Sequence, residues 1–395
     1  MEINKIEAQK YLVHYQELNN NIPLQGINGI QKYFKQVGCI QYDPLNIVGR
    51  NPDLVLQSRI SDYKPLFLED MLYKKRSLID GWDKMMAIYL TEDWPLFHRM
   101  RIYKKKAMIN SLRYRNSLEA LKVTDKVIEY LKKRGPLKAS QIELGKAGKG
   151  RWGHKKLAGA AMDYLFKKGT IGIYKKNGTQ KVYDLIENLL PAEIYKKADP
   201  FKNEKDFNKW LIKRRIGSVG FLWDKSSVLW QETGGNLNNK IYREMLFNEL
   251  LENKEIIEVK IADIIEKLYI NKKDERLLRE SHKLKINNAV KFIAPLDNLL
   301  WDREMVEKIF NFKYRWEVYT PVKKRKYGYY VLPVLYKNNF IGRFEPEIDK
   351  KQNTLNVKNW WWEDNVKITK ELQSCIKKSL ENFAKYLNIE KVNYL

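Results

Sequence analysis

The stretch from residue 116 to 190 constrains the fold more than any other part of the chain. Thr124-Asp125 opens an amphipathic helix through Val127, Ile128 and Leu131, and Gly135-Pro136-Leu137 stops it. A second short helix is expected near Ser140, and a third from about Trp152 to Lys168 with Leu157, Ala161, Tyr164 and Leu165 on one face. Two strands, Thr170 to Tyr174 and Gln180 to Leu185, then flank Lys175-Lys176-Asn177-Gly178-Thr179. Asn-Gly supplies the positive φ that a tight hairpin turn demands. Three helices followed by a basic hairpin is the winged-helix pattern. Lys146, Lys149, Arg151, Lys155 and Lys156 precede and enter its third helix, the element that such domains place in a groove.

Charge narrows the partner. Lys and Arg total 74 against 48 Asp and Glu, a formal net charge of +26. So much self-repulsion is useless against a neutral partner, whereas a polyanion converts it into affinity through counterion release. A Lys-rich proteome would give the same balance without any such partner. With only Cys39 and Cys375, neither a disulfide framework nor a cysteine zinc site is expected, and the four His show no metal spacing. No metal and no cofactor are expected. There is no signal peptide pattern and no apolar run long enough to span a bilayer. These features point to a cytoplasmic, nucleoid-associated monomer that binds double-stranded DNA and has no membrane partner.

The 395 residues exceed what one core usually serves. Four units are expected: a helical or winged-helix unit 1–115, a winged helix 116–195, a third winged-helix-like unit 196–285, and a small antiparallel β unit 286–395 closed by a helix from about Lys367 to Leu387. The fold class is α+β, with tandem winged helices followed by a barrel-like β domain. In the last unit, strands are expected at Glu317 to Pro321, Tyr327 to Tyr336 and Asn339 to Phe344, and Trp360-Trp361-Trp362 is expected to close the sheet. Lys323-Lys324-Arg325-Lys326 would then be a hairpin tip bearing four cations. In the first unit, Ile27, Ile30, Phe34 and Val37 mark a helix ended by Gly38. Asp43-Pro44 suits the start of the next one.

Several of these runs resemble the winged-helix DNA glycosylase family (YcaQ/AlkZ-like). They are Asp297-Asn298-Leu299-Leu300-Trp301-Asp302-Arg303, Tyr314-Arg315-Trp316-Glu317-Val318-Tyr319, Lys324-Arg325-Lys326-Tyr327-Gly328-Tyr329-Tyr330-Val331-Leu332-Pro333, Arg134-Gly135-Pro136-Leu137 and Gln180 to Leu185. The resemblance covers nearly the whole chain. It implies a monofunctional DNA N-glycosylase and identifies Gln41-Tyr42-Asp43 as the Gln-x-Asp form of the catalytic signature. The chain departs from it at Trp82-Asp83-Lys84-Met85, where members typically carry Trp-Ser-His-Ala; the missing His bears on substrate range and on activity.

Alkylation of a purine ring nitrogen makes the base cationic, so it leaves without a strong general acid. A carboxylate can stabilise the cationic sugar and deliver water, and a carboxamide can orient that water. Asp43 and Gln41 suit these roles, because alternate residues of an extended strand face one side while Tyr42 turns to the core. Without the resemblance, Asp43 would read more simply as a helix cap. Arg50 and Arg59 are placed to clamp phosphates near this strand, with a core ion pair as the alternative for Arg59. Lys323, Lys324 and Arg325, with Arg151, Lys155 and Lys156, complete the expected DNA contacts. The expected function is hydrolysis of the N-glycosidic bond of alkylated or interstrand-crosslinked purines. The alternative is a non-enzymatic winged-helix DNA binder, either a transcription regulator or a lesion binder.

Overall fold

The computed structural model describes residues 1–19, 22–146, 156–230, 233–234, 236–364 and 366–394. The chain is α+β and divides into two compact units. One comprises Met1–Leu68, Lys209–Leu229 and Asn239–Leu395; the other comprises Glu69–Asn208 and Trp230–Asn238. No helix among the described residues is long and apolar enough to cross a membrane.

The first unit begins with strand Glu2–Ile3 and helix Lys5–Tyr15. The helix start is fixed by a capping box: Glu7 N donates to Asn4 Oδ1 at 2.9 Å, and Asn4 N donates to Glu7 Oε2 at 2.8 Å. Glu2–Ile3 lies parallel to Ile256–Ile261, and Leu268–Asn271 and Leu222–Trp223 extend that sheet antiparallel. Helix Gly26–Val37 buries Ile30, Phe34 and Val37 of the expected stripe together with Tyr33, while Ile27 in its first turn stays partly exposed. Gly38 ends it at φ +78°, a conformation that disfavours any side chain, and the chain turns directly into strand Cys39–Gln41. Asp43-Pro44 does not open a helix. Residues 42–50 are irregular, and the next helix, Asn51–Gln57, starts eight residues later with Pro52 in its first turn.

The same unit carries a five-stranded sheet in the order Val290–Phe292, Leu332–Tyr336, Asn339–Asp349, Thr354–Trp362, Lys391–Asn393. The first four strands are antiparallel and the last is parallel to its neighbour. Helix Lys370–Tyr386 packs on it, with Phe383 5.4 Å from Phe292, whose ring lies 4.4 Å from Phe344. Some expectations change here. The order is linear among the described residues, so the sheet keeps two edges and is not a closed barrel. Trp360-Trp361-Trp362 pairs with Gly342 to Phe344 on one side, and the last strand reaches only Thr354 to Asn356, so these three residues lie along an edge of the sheet. Glu317 to Pro321 and Tyr327 to Val331 are not strands: the chain there is a loop with one 3-10 turn at Val322–Lys324.

The deepest polar contact of this unit is the ion pair of Arg59 and Asp297. Both side chains are wholly buried, and two hydrogen bonds of 2.8 Å join them. Arg59 also donates to Gln16 O at 2.7 Å and Val55 O at 2.9 Å. Further bonds of this kind are the condition under which a buried pair is tolerated.

In the second unit, helix Thr124–Arg134, strand Leu137–Lys138, a 3-10 turn Ala139–Gln141 and helix Leu157–Lys168 precede the hairpin Ile171–Asn177/Gln180–Leu185. The short strand pairs with the second hairpin strand. Val127, Leu131, Ala161, Leu165, Ile171, Ile173 and Tyr183 form its core. The helix expected near Ser140 is only the 3-10 turn. A second hairpin, Leu78–Trp82/Met86–Leu90, places Asp80 in a buried ion pair with Lys176. Its turn is the Trp82 to Met85 segment: Asp83 is buried, and the Trp82 ring lies under the ammonium groups of Lys104 and Lys167 at 5.0 and 5.1 Å.

Removing one member of the Arg59–Asp297 pair strands a buried charge. Asp297→Ala is therefore expected to destabilise the fold by about 3–5 kcal/mol. Chemical denaturation would measure it, and a loss near zero would show that the pair does not hold the core.

Candidate active site

Strand Cys39–Gln41 is held through its main chain. Asn298 Nδ2 donates to Cys39 O at 3.0 Å, Asn51 Nδ2 donates to Gln41 O at 2.8 Å, and Arg214 Nη2 donates to Gly38 O at 2.9 Å. Asn51 is itself fixed, since its Oδ1 accepts from Leu296 N at 3.0 Å. These contacts explain the run Asp297 to Arg303. Asp297 pairs with Arg59 and accepts from Leu299 N at 2.9 Å; Asn298 tethers the strand; Trp301 Nε1 donates to Leu296 O at 3.0 Å. Asp302 caps helix Arg303–Phe310 by accepting from Met305 N at 3.1 Å. The most distinctive run in the sequence is thus the mount of the strand and contributes no reacting group of its own.

On that mount, Tyr42 is buried while Gln41 and Asp43 are half-buried, the alternation expected of an extended segment. Asp43 Oδ1 accepts from Leu45 N at 2.9 Å, closing a local turn and capping no helix. Burial raises its pKa above the ordinary 3.8, and the Leu45 N–H opposes this only in part. The side chains of Tyr319 and Tyr330 lie close enough to feel the Asp43 charge. Tyr330 is buried, whereas Tyr319 is 84% exposed and Val322 is 74% exposed.

Tyr319 and Val322 belong to the cationic loop, which is rigidly made. Burial works against the Glu317 carboxylate, yet the N–H groups of Lys326, Tyr327 and Gly328 converge on it and hold its pKa below the usual value. Arg325 Nε donates to Thr320 O at 2.9 Å, and its guanidinium covers the Tyr329 ring at 4.9 Å. A Cβ at Gly328 would stand 2.5 Å from the Glu345 carboxylate, which would have to move away from the Tyr329 N–H it accepts from. Lys323, Lys324 and Lys326 remain exposed.

The other expected contacts divide. Arg50 is half-buried and precedes helix Asn51–Gln57, in the same irregular segment that follows Asp43. Arg59 cannot clamp a phosphate: it lies in the core, with its charge taken by Asp297. Arg325 is partly committed to Thr320 and Tyr329. Lys156 is exposed at the start of helix Leu157–Lys168, while Arg151 and Lys155 lie outside the described residues. Asn51, Arg214 and Tyr319 were not foreseen. Tyr319 stood inside a distinctive run, but exposure cannot be read from spacing. No group of His, Cys, Asp and Glu able to hold a metal ion occurs among the described residues.

The family model described as DNA glycosylase AlkZ-like matches residues 34–386. Among solved structures, the chain is similar to the Streptomyces sahachiroi DNA glycosylase AlkZ, with a TM-score of 0.66 and 12% identity over 100% of both chains. At that identity the likeness speaks for the fold.

Because the folded state holds the Asp43 proton more tightly than the unfolded chain, stability attached to this group is full below the ordinary carboxyl pKa. It is lost as pH rises through the raised one. Asp43→Asn is therefore expected to be more stable than wild type at neutral pH, and the gain should vanish in acid. Melting temperatures across that range test this; a less stable variant at pH 7 would contradict the burial argument.

Proposed function

The chain belongs to the AlkZ-like DNA glycosylase family, and on that premise we propose that it hydrolyses the N-glycosidic bond of alkylated or interstrand-crosslinked purines. The observation that carries this reading is a half-buried carboxylate, Asp43, two residues past the tethered strand Cys39–Gln41, with the exposed Tyr319 near enough to feel its charge.

The leaving base of such a lesion carries a positive charge and departs with the bonding electrons, becoming neutral. The sugar is left as an oxocarbenium-like cation. Asp43 stabilises that cation and takes a proton from the water that attacks the sugar carbon; Gln41 orients the water through its amide. This route uses water as the nucleophile and forms no covalent bond to the protein, as a monofunctional enzyme requires. The surface placement of Tyr319 and Val322 supports insertion against the bases. An apolar ring held in water by a pinned loop gains by stacking on an unstacked step. Lys323, Lys324 and Arg50 supply phosphate contacts, which position the duplex without reading its sequence. Lys156 does the same from residues 116–195, read here as a winged helix. An open site of this kind suits a lesion that cannot be rotated freely out of the helix, as a crosslinked base cannot.

Two measurements test the reading. Base release from duplex DNA carrying an alkylated or crosslinked guanine is expected to fall by roughly a hundredfold or more in Asp43→Asn, within the range of general-base effects, while DNA affinity is kept. Equal release by both proteins would remove Asp43 from the mechanism. Sequence-selective footprinting without base release would favour the regulator instead. Tyr319→Ala is expected to lower release by roughly tenfold through lost stacking, with Lys323→Ala instead flattening the salt dependence of binding by about one unit. Release unchanged by Tyr319→Ala would exclude the wedge.

A further inference from the structure

One hollow of the first unit is lined by neither Gln41 nor Asp43. It is a cleft of about 880 Å³ between helix Asn51–Gln57 with its following loop, strand Val290–Phe292 and helix Lys370–Tyr386. That volume lies in the range of sites that hold small organic ligands.

Its charges do not balance. Lys64, Lys291 and Lys385 line it, and none of the three has an ion-pair partner among the described residues. Of the two carboxylates at its edge, Glu17 pairs with Lys32 at 3.4 Å and the exposed Asp62 accepts from Gly26 N at 2.8 Å, so three lysines and Arg59 line the cleft against two acids. Arg59, beneath Lys291, pairs with Asp297 and also feels Glu17. Lys291 therefore faces the cleft with a like charge behind it and no ion-pair partner of its own among the described residues. Burial, and then the Arg59 charge, pull its ammonium pKa down from 10.5 to about 8. Asn382 and Asn388, also on the lining, make no side-chain hydrogen bond among the described residues. One wall is aromatic, where the rings of Tyr63 and Tyr386 stand 6.1 Å apart.

We propose that this cleft binds a small phosphorylated molecule, with Lys291 at its floor, Lys64 and Lys385 at its rim, and the Asn382 and Asn388 amides donating to phosphate oxygens. A dianion supplies the missing counter-charge, and charge-assisted bonds are the strongest available to it. The aromatic wall and the volume leave room for a flat ring on the phosphate. The inference stands apart from the glycosylase reading, because neither Gln41 nor Asp43 lines the cleft and its test does not measure base release.

Calorimetric titration of the full chain at fixed ionic strength tests it with three probes: inorganic phosphate, deoxyadenosine monophosphate and deoxyadenosine. Saturable binding is expected for the first two and none for the third. Tighter binding of the monophosphate would identify a nucleotide site, and equal binding a site for phosphate itself. Lys291→Met should weaken binding by roughly tenfold or more, and the surface double variant Lys64→Ala/Lys385→Ala by several-fold, a readout that survives if the buried variant does not fold. Lys323→Ala, in the loop beside Asp43, should change nothing. Absence of saturable binding, or binding lost in Lys323→Ala and kept in Lys291→Met, would overturn the proposal.

Discussion

The buried pair of Arg59 and Asp297 is the constraint on which the reactive strand depends. It joins the end of helix Asn51–Gln57 to a turn that lies 238 residues later. Once Asp297 is fixed there, Asn298 is delivered to Cys39 O, and the Leu296 peptide next to it is delivered to Asn51. Asn51 in turn reaches Gln41 O. A charge pair in the core thus aligns two carboxamides, and they align the strand. The arrangement follows a general pattern for enzyme sites, in which reacting groups gain precision from a shell that does not react.

Much of this was legible in the sequence where local periodicity governs. The stripe Ile30, Phe34, Val37 gave its helix, Gly38 its end, and Asn177-Gly178 the hairpin. The alternation across Gln41, Tyr42 and Asp43 was also legible, because it needs only an extended backbone. What failed was set by partners distant in sequence. Arg59 reads first as a phosphate clamp with a core ion pair as the alternative, and Asp297, 238 residues away, is what decides for the alternative. Asp43-Pro44 carries the local chemistry of a helix start, but the tethers at Gly38, Cys39 and Gln41 hold the chain extended and postpone the helix to Asn51.

The cationic loop failed for a different reason. Tyr327 to Val331 is rich in residues that favour strands, and a hairpin was the natural expectation. Glu317 outcompetes a ladder by gathering three consecutive amide groups on one carboxylate, and Glu345 takes the next from Tyr329 at 2.8 Å. Carboxylate acceptors make stronger bonds than peptide carbonyls, so two acids suffice to fold a segment that strand propensity would pair. The loop keeps its shape without an edge strand, and the aromatic ring at residue 319 is presented by a scaffold that does not need DNA to form.

The tethers described above all end on carbonyl oxygens. None of them requires a particular side chain at positions 41 or 43. Architecture here is therefore separable from the chemistry proposed for it: the side chains at 41 and 43 can drift, exchange carboxamide for carboxylate, or fall silent, while the tethered strand stays in register. A lineage built this way can explore new damaged bases, or retire to mere lesion recognition, without first rebuilding its core.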